Sequence, residues 1–369
     1  MTRLFIGLMS GTSLDGVDAV LADFSTSPPR WLSHAHRPYP PALRQDLLGL
    51  HHSGPDELHR AQRLSLVLAR IYADVVGDVM QAQGLSAHAV AAIGAHGQTV
   101  RHQPILNGAG VGYTVQLNQP ALLAELTGIS VVADFRSRDI AAGGQGAPLV
   151  PAFHQAIWGD PLRAVAALNI GGISNLSLMA PDRPLLGFDC GPGNMLMDAW
   201  AQHHLGQAYD AQGAWARSGH CHAGLLSSML NEPYFQRSAP KSTGRDLFHM
   251  GWLTPHLKAS GPMPAADVQA TLLELTARTC IEALCSHMAN PEQLIVCGGG
   301  ALNEALMQRL GELAPCAVQS SADAGLHPSQ VEAAAFAWLA QRALDGLHGN
   351  EPSVTGAKGP RVLGAIYPA

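Results

Sequence analysis

The sequence predicts a two-domain α/β protein whose two halves are related by duplication. Its 369 residues suffice for two domains of ordinary size. Apolar runs with strand and helix character follow one another along the chain, and the layout of the opening segment returns near residue 164. We expect domain I over residues 1–140 and 340–369 and domain II over 141–339, facing each other across a central cleft that holds a nucleotide.

The repeated layout is a pair of apolar strands joined by a polar turn. In the first half, strands at 4–9 and 17–24 flank a turn rich in glycines, hydroxyls and carboxylates. In the second half, strands at 164–168 and 176–179 flank the turn 169–175. Glycines such as Gly11 and Gly16 let backbone N–H groups approach an anion. Two phosphate-binding hairpins are therefore predicted. The first turn alone is equally consistent with a surface hairpin whose polar side chains bind no ligand.

Carboxylates in the first turn suggest a cation. Asp15 and Asp18 would repel a phosphate unless a divalent ion such as Mg²⁺ stood between them and the anion. We expect Asp15 to hold that ion through water. The chain has neither a Walker sequence nor a Gly-x-Gly-x-x-Gly opening a helix after a strand, which argues against P-loop and Rossmann sites.

In domain I, the spacing of apolar residues and a glycine-rich stretch predict the remaining elements. Residues 58–83 carry apolar side chains three or four apart, which predicts a long amphipathic helix. Short apolar runs at 89–94 and 129–133 predict strands, and 120–127 predicts a short helix. The glycine-rich stretch 141–148 predicts a hinge between the domains.

Domain II is predicted by the same rules. Strands are expected at 185–188 and 293–297, and helices at 149–158, 195–204 and 304–313, with helix-rich stretches over 214–230 and 268–288. Asn194 is expected to cap the helix that begins at 195. A further small-residue helix at 331–340 carries one acid, Glu332, and the pattern does not decide between a cleft-facing and a solvated side chain.

Polar groups at three strand ends are candidate ligands. His96, Gln98 and Thr99 follow the strand at 89–94, a common ligand position in α/β sheets. Asp189 follows the strand at 185–188 and is either functional or a partner for N–H groups of its own turn. The triplet Gly298-Gly299-Gly300 lets the backbone approach a flat or anionic ligand, here the adenosine part of a nucleotide.

Composition excludes several classes of protein. The formal charge is −6 with no basic run, so nucleic acid is not an expected partner. No apolar span approaches the about 20 residues that cross a bilayer, so no membrane is expected. Six cysteines without Cys-x-x-Cys pairs suit a reducing cytoplasm, and the 18 histidines lack helical metal-ligand spacing.

Several motifs, in order along nearly the whole chain, give a family resemblance. The chain resembles the anhydro-N-acetylmuramic acid kinases, bacterial members of the sugar kinase/Hsp70/actin superfamily. The matching segments are Met9-Ser10-Gly11-Thr12-Ser13-Leu14-Asp15-Gly16, His96-Gly97-Gln98-Thr99, Asp134-Phe135-Arg136, Asn169-Ile170-Gly171-Gly172-Ile173-Ser174-Asn175, Asp189 with Gly191-Pro192-Gly193-Asn194, Lys241-Ser242-Thr243-Gly244-Arg245, Cys297-Gly298-Gly299-Gly300, Glu332-Ala333 and Val354-Thr355-Gly356-Ala357.

The resemblance implies an actin-like ATPase fold of two ribonuclease H-like domains and a specific reaction. Family members use ATP and Mg²⁺ to phosphorylate the 6-oxygen of 1,6-anhydro-N-acetylmuramic acid, from peptidoglycan turnover, while water opens the anhydro bridge. Asp189 matches the catalytic base that activates this water. The implied substrate-binding residues are His96, Gln98, Thr99, Arg136 and Glu332, with Arg136 suited to the lactyl carboxylate. The implied ATP-binding residues are Gly11, Thr12, Ser13, Leu14, Asp15, Gly16, Val17 and Asp18, joined by Gly171, Gly172, Asn175, Gly298, Gly299 and Gly300.

Two positions depart from the expected pattern, and two other functions stay open. Cys190 replaces the usual Thr after the catalytic Asp, and Leu302 replaces a common His. The alternatives are another small-molecule kinase of the superfamily and a nucleotide-gated binding module. Closure of the two domains of one chain over the ligands is a further expectation, and so, separately, is a homodimer.

Overall fold

The computed structural model describes residues 3–11, 13–106 and 110–369, and these form two units. Unit 1 comprises the described residues up to Phe153 together with Gln330–Ala369, and unit 2 comprises His154–Ser329. Both crossings differ from the predicted ones at 140/141 and 339/340. The predicted ATP-binding residue Thr12 lies outside the described residues.

Strands and helices follow the predicted order with several additions. The strands are β1 Leu4–Ser10, β2 Gly16–Asp23, β3 Arg30–Pro38, β4 Val90–Leu106, β5 Gly110–Leu117, β6 Val131–Ala133, β7 Val165–Ile170, β8 Ile173–Met179, β9 Leu186–Pro192, β10 Gln293–Cys297, β11 Ala317–Ser320 and β12 Ala365–Tyr367. The helices are α1 Pro41–Leu48, α2 Glu57–Gln81, α3 Pro120–Thr127, α4 Ser137–Ala141, α5 Val150–Trp158, α6 Met195–Leu205, α7 Ala214–Ser218, α8 Ala223–Leu230, α9 Met250–Ser260, α10 Ala265–His287, α11 Glu304–Leu313, α12 Val331–Leu344 and α13 Pro352–Thr355.

The two units contain sheets with the same topology. In unit 1, β1, β2 and β3 form an antiparallel meander, and β4 and then β6 join β1 in parallel. In unit 2, β7, β8 and β9 form the meander. Strand β10 pairs in parallel with β7, and β11 pairs in parallel with the other edge of β10. Without the arm strand β5 and the edge strand β12, the order is β3-β2-β1-β4-β6 in unit 1 and β9-β8-β7-β10-β11 in unit 2, which is the order of a ribonuclease H-like domain in both. The predicted duplicated α/β fold is confirmed.

Helix α12 lies directly on the sheet of unit 1. A Cβ atom added to Gly7 on β1 would stand 1.8 Å from the carbonyl oxygen of Ala333, and one added to Gly94 on β4 would stand 2.0 Å from that of Phe336. Only glycine permits this approach. The whole of α12 therefore belongs to unit 1, whereas the sequence placed residues 331–339 in domain II.

Each unit has its own hydrophobic core. The predicted amphipathic helix is confirmed as α2, whose buried face includes Leu68, Tyr72 and Val75. In unit 2, α10 is buried along most of its length. It packs on strands β8 and β9 of the sheet and also contacts α6, α8 and α11. Both cores consist mainly of aliphatic side chains, which agrees with the low aromatic content of 5%.

The helix-rich stretch expected at 214–230 is confirmed as two helices, α7 and α8, separated at Gly219, whose backbone is extended. Two other local predictions are wrong for physical reasons. Asn194 has helical backbone and does not cap α6, since its amide Nδ2 donates to the carbonyl of Ile170 at 3.1 Å. Strand β4 continues far past residue 94, because β5 pairs with its second half as an antiparallel arm.

The glycine-rich stretch after α4 is not at a unit boundary. It lies inside unit 1, and the backbone N–H of Gly146 donates to the buried carboxylate of Asp139 at 2.8 Å. Gly143 and Gly146 have φ values of 87° and 67°, which favour glycine. The glycines therefore serve a tight, anchored loop rather than the predicted hinge.

Candidate functional site

The first turn of unit 1 rests on a buried set of polar side chains. The hydroxyl of Ser10 donates to Oε1 of Gln98 and lies 2.7 Å from the hydroxyl of Tyr39. Nε2 of Gln98 donates to the carbonyl of Gly11 at 3.1 Å, and the Gln98 side chain is fully buried. Gln98 was predicted to bind sugar, yet both ends of its amide are engaged with the turn.

Leu14 and Gly16 shape the turn in ways that the sequence did not predict. Leu14, with a buried side chain, has a φ of 58°, while neither Gly11 nor Gly16 has positive φ. Gly16 is needed for another reason, because a Cβ there would stand 2.3 Å from the carbonyl oxygen of Arg37. Val17 is also buried, so Leu14 and Val17 have only backbone groups to offer a nucleotide.

The two turn carboxylates have different surroundings. Asp15 is exposed and accepts a hydrogen bond from the hydroxyl of Ser13 at 2.7 Å. Oδ1 of Asp18 accepts from Nε2 of His34 at 2.9 Å and from Nδ1 of His36 at 3.2 Å. Sequence reasoning missed both histidines, because they lie on the unpredicted strand β3. Among the described residues, no group of three or more His, Cys, Asp or Glu side chains could hold a metal ion.

A half-buried cation, Arg136, and a buried imidazole, His96, lie near Glu332. Nε and Nη2 of Arg136 donate to Nε2 of His96 at 3.0 and 2.9 Å, and Nη1 donates to the carbonyl of Gly146 at 2.8 Å. Because Nε2 accepts, His96 is neutral with its proton on Nδ1. Burial, reinforced by the charge of Arg136, holds the pKa of His96 well below its ordinary value.

The pKa values of Glu332 and Arg136 depend on each other. Burial raises its pKa, the nearby Arg136 opposes the rise, and the carboxylates of Asp18 and Asp15 add to it. Burial also lowers the pKa of Arg136 to about 10, against the attraction of Glu332 and Asp139. The predicted sugar-binding residues His96, Arg136 and Glu332 therefore form one interacting group in unit 1. Thr99 is half-buried, and its hydroxyl accepts from Gln116 at 3.1 Å.

In unit 2, the second hairpin and the glycine triplet lie against each other. Gly298 has a φ of 76°, and a Cβ there would stand 2.4 Å from Oδ1 of Asn169. A Cβ on Gly300 would stand 2.4 Å from Cγ2 of Ile170. The structure thus brings together two glycine segments that the sequence placed about 130 residues apart.

Neighbouring backbone groups hold the tip of this hairpin. The carbonyls of Gly171 and Gly172 accept from the backbone N–H groups of Asn194 at 2.8 Å and Gly193 at 2.9 Å. Gly172 and Gly299 remain exposed, which leaves backbone accessible to a ligand. Asn175 is half-buried on β8, directly opposite Asp189 on β9.

Asp189 lies within β9 and is held by a distant segment. Its Oδ2 accepts from the backbone N–H of Thr243 at 3.0 Å, its own N–H donates to the carbonyl of Lys241 at 3.0 Å, and its carbonyl accepts from the hydroxyl of Tyr234 at 2.8 Å. The carboxylate bond therefore comes from residues about 50 positions later rather than from its own turn. The motif Lys241-Ser242-Thr243-Gly244-Arg245 was the only sequence signal for this support.

Asp189 has the electrostatics of a general base. Burial raises its pKa to about 6, although the hydrogen bond from Thr243 opposes the rise. A carboxylate with a pKa near working pH is ionised yet still basic, which suits proton abstraction. Cys190 is a buried core residue, and alternation along β9 directs it to the face opposite Asp189.

Comparison with known proteins now decides the family. Residues 3–369 match the sequence profile of the family described as anhydro-N-acetylmuramic acid kinase. The chain belongs to this family. The predicted resemblance is confirmed.

Relatives that carry the family name match over essentially full length. The anhydro-N-acetylmuramic acid kinase of Albidiferax ferrireducens is 55% identical, with 100% of both chains covered. Those of Pseudomonas putida and Variovorax paradoxus are 55% and 56% identical, with 99% and 100% of this chain covered and 99% of each relative. A glucokinase of the ROK family from Streptomyces griseus, solved with glucose and AMPPNP, is 15% identical with a TM-score of 0.41, covering 92% of this chain and 99% of its own.

No helix among the described residues is both long and apolar enough to cross a bilayer.

Proposed function

We propose that this family member is an ATP-dependent kinase that opens the 1,6-anhydro ring of 1,6-anhydro-N-acetylmuramic acid and phosphorylates its 6-oxygen. The products are N-acetylmuramic acid 6-phosphate and ADP, and the pathway served is cell-wall recycling. The observation that carries the proposal is Asp189, a carboxylate with a pKa near 6 fixed by Thr243, at the position that matches the family's base.

The reaction needs one activated water and one activated phosphate. Asp189 takes a proton from a water whose oxygen bonds to the anomeric carbon. The bond from that carbon to the 6-oxygen breaks, and the freed 6-oxygen bonds to the γ-phosphorus as ADP leaves. Positioning supplies most of the rate of such transfers. The raised pKa of Asp189 matters because a more basic carboxylate accepts the proton more readily.

We assign nucleotide-binding groups within each unit by itself. Gly11, Ser13 and Gly16 of the first turn, and the exposed glycines of the second hairpin and the triplet, would contact phosphates and adenosine. Mg²⁺ would neutralise phosphate charge, and the exposed carboxylate of Asp15 is the kind of oxygen ligand that this ion accepts, directly or through water.

We assign the sugar to unit 1. The charge of Arg136 would face the lactyl carboxylate, and Glu332 would accept hydrogen bonds from sugar hydroxyls. Gln98 we assign to the turn instead, because both ends of its amide are used within the protein. A cytoplasmic location and a homodimer stay predictions from the sequence.

A coupled ADP-release assay with 1,6-anhydro-N-acetylmuramic acid tests the proposal, with mass spectrometry of the product. The expected product is heavier than the substrate by one phosphoryl group and one water. A product that gains phosphate without water would instead indicate a kinase that acts on an existing hydroxyl. Turnover no greater than with ATP alone would rule out the kinase with this acceptor.

A further inference from the structure

Two segments of unit 1 have no role in the proposed reaction. They are the glycine-rich loop 143–146, which the sequence assigned to a hinge, and the segment Val354-Thr355-Gly356-Ala357 near the end of the chain. Both contact the same buried residue, Asp139 on α4. Its side chain has no solvent exposure.

Three donors surround the carboxylate of Asp139. Oδ1 accepts from the hydroxyl of Thr355 at 2.7 Å and from Nδ2 of Asn350 at 2.6 Å, and Oδ2 accepts from the backbone N–H of Gly146 at 2.8 Å. Thr355 and Asn350 are each only 1% exposed. A buried carboxylate is tolerated when it is hydrogen-bonded in this way, and loss of one donor leaves an unmet acceptor.

Backbone contacts fasten the same two segments together. The N–H of Gln145 donates to the carbonyl of Thr355 at 2.8 Å, and the N–H of Lys358 donates to the carbonyl of Ala142 at 2.9 Å. A Cβ on Gly144 would stand 2.2 Å from Oδ2 of Asp139, so the loop fits closely over the carboxylate. The position of Gly146 is therefore set by its anchor.

The anchored loop in turn fixes Arg136. The carbonyl of Gly146 accepts from Nη1 of Arg136, while the opposite edge of the guanidinium is held by His96. These contacts define the plane of a cation that interacts with Glu332. A displaced Gly146 carbonyl would turn the guanidinium and change the direction of its remaining donors.

We infer that Thr355 and Asn350, through Asp139 and Gly146, are positioning residues for Arg136 and thereby set affinity for the sugar substrate. The inference rests on the proposed function, since it takes Arg136 as the group that receives the sugar carboxylate. It gives the segment Val354-Thr355-Gly356-Ala357 a part in acceptor recognition without any contact to the acceptor.

The variant Thr355→Val removes the hydroxyl at nearly constant volume. A hydrogen bond to a charged group stabilises a fold by a free energy that corresponds to about tenfold or more in an equilibrium constant. Since part of that loss is expressed as displacement of Gly146 and Arg136, we expect KM for the anhydrosugar to rise severalfold, up to about tenfold. The Kd for ATP, measured by calorimetry, should stay within about twofold of wild type. Thr355→Ser should restore KM, because it keeps the donor.

Thr127→Val is the matched control in unit 1. The hydroxyl of Thr127 donates to the carbonyl of Leu123 within α3, away from Asp139. Its KM should be that of wild type. If Thr355→Val does not fold, Asn350→Ser withdraws the Nδ2 donor from Asp139, together with the Oδ1 that accepts from the backbone N–H of Arg361 at 2.6 Å, and should also raise KM.

Three outcomes would overturn the inference. They are an unchanged sugar KM in a folded Thr355→Val or Asn350→Ser variant, an equal loss of ATP and sugar affinity, and failure of Thr355→Ser to restore KM. Absence of turnover by the wild-type enzyme is a different result, because it removes the proposed function itself.

Discussion

Replacing Asp189 by Asn should abolish activity and make the protein more stable. Asn keeps an oxygen that can accept the hydrogen bond from the N–H of Thr243, which is 3.0 Å from Oδ2 in the structure. The variant therefore removes the charge and the proton-accepting function while leaving the local geometry intact. Turnover should fall by about 10²–10⁴ or more, the usual effect of losing a positioned base.

The gain in stability follows from the pKa. Burial raises the pKa of Asp189 from 3.8 to about 6. A difference of about two units corresponds to at most about 3 kcal/mol of unfavourable free energy for the ionised folded form. Because Asp189 is half-buried and solvent screens part of this effect, we expect about 1–2 kcal/mol. In a unit of this size, that raises the melting temperature by about 2–8 °C.

The sign of the effect gives it a pH dependence. The folded pKa lies above the unfolded one, so wild-type protein loses stability relative to the Asn variant as pH rises from about 4 to about 6. Above about pH 7 the difference should be constant, because Asp189 is ionised in both states. Urea unfolding of both proteins at several values between pH 5 and pH 8 measures the difference.

Asp182→Asn is the matched control. Asp182 also belongs to unit 2, and its side chain is 80% exposed. This variant should show wild-type turnover and no pH-dependent gain in stability. An Asp189→Asn variant that is no more stable than wild type at pH 8, or whose gain is the same at pH 5, would refute the electrostatic reasoning. Near-normal turnover would mean that another group activates the water.

Three further predictions follow from other contacts. In the wild-type enzyme, kcat/KM should fall as pH drops below about 6, since Asp189 must be ionised to accept a proton; a profile that is level down to pH 5 would contradict this. Tyr39→Phe removes the hydroxyl that lies 2.7 Å from the hydroxyl of Ser10, and calorimetry should show ATP binding weakened by about fivefold. An unchanged Kd would mean that the buried hydrogen bonds of Tyr39, Ser10 and Gln98 do not support the first turn. Gly7→Ala should lower the free energy of unfolding by about 3 kcal/mol or more, because its Cβ would overlap the carbonyl of Ala333. Gly77→Ala, in an open position on α2, should raise the free energy of unfolding by about 0.5–1 kcal/mol. Equal effects of the two variants in urea titrations would contradict the packing of α12.

Much of the fold could be predicted because the signals are local. Apolar residues three or four apart identified α2, and the matching polar turns identified the duplication. Strands β3 and β5 were missed because they lie at the margins of the sheet, where exposed residues weaken the apolar alternation. The second half of β4 was missed for the same reason, since it is defined by pairing with β5.

Sequence motifs named the candidate site residues, whereas the contacts of these residues could not be predicted from the sequence. Asp189 was named from its motif, whereas its support by Thr243 and Tyr234 depends on chain segments about 45–55 residues away. Gln98 was taken for a sugar ligand because the family resemblance implied it, and its position after an apolar strand shows no partner in the sequence. The structure supplies the partners Ser10 and Gly11.

The contact of α12 with Gly7 and Gly94 has a consequence for Glu332. Carbonyl groups of α12 pack directly on the strands with no side chains between them, so the helix cannot shift relative to the sheet by side-chain rearrangement. Glu332, next to Ala333, should move with the sheet as part of one stiff body. The backbone that carries its carboxylate is then fixed before a substrate arrives, so no backbone conformational entropy needs to be lost at this position on binding.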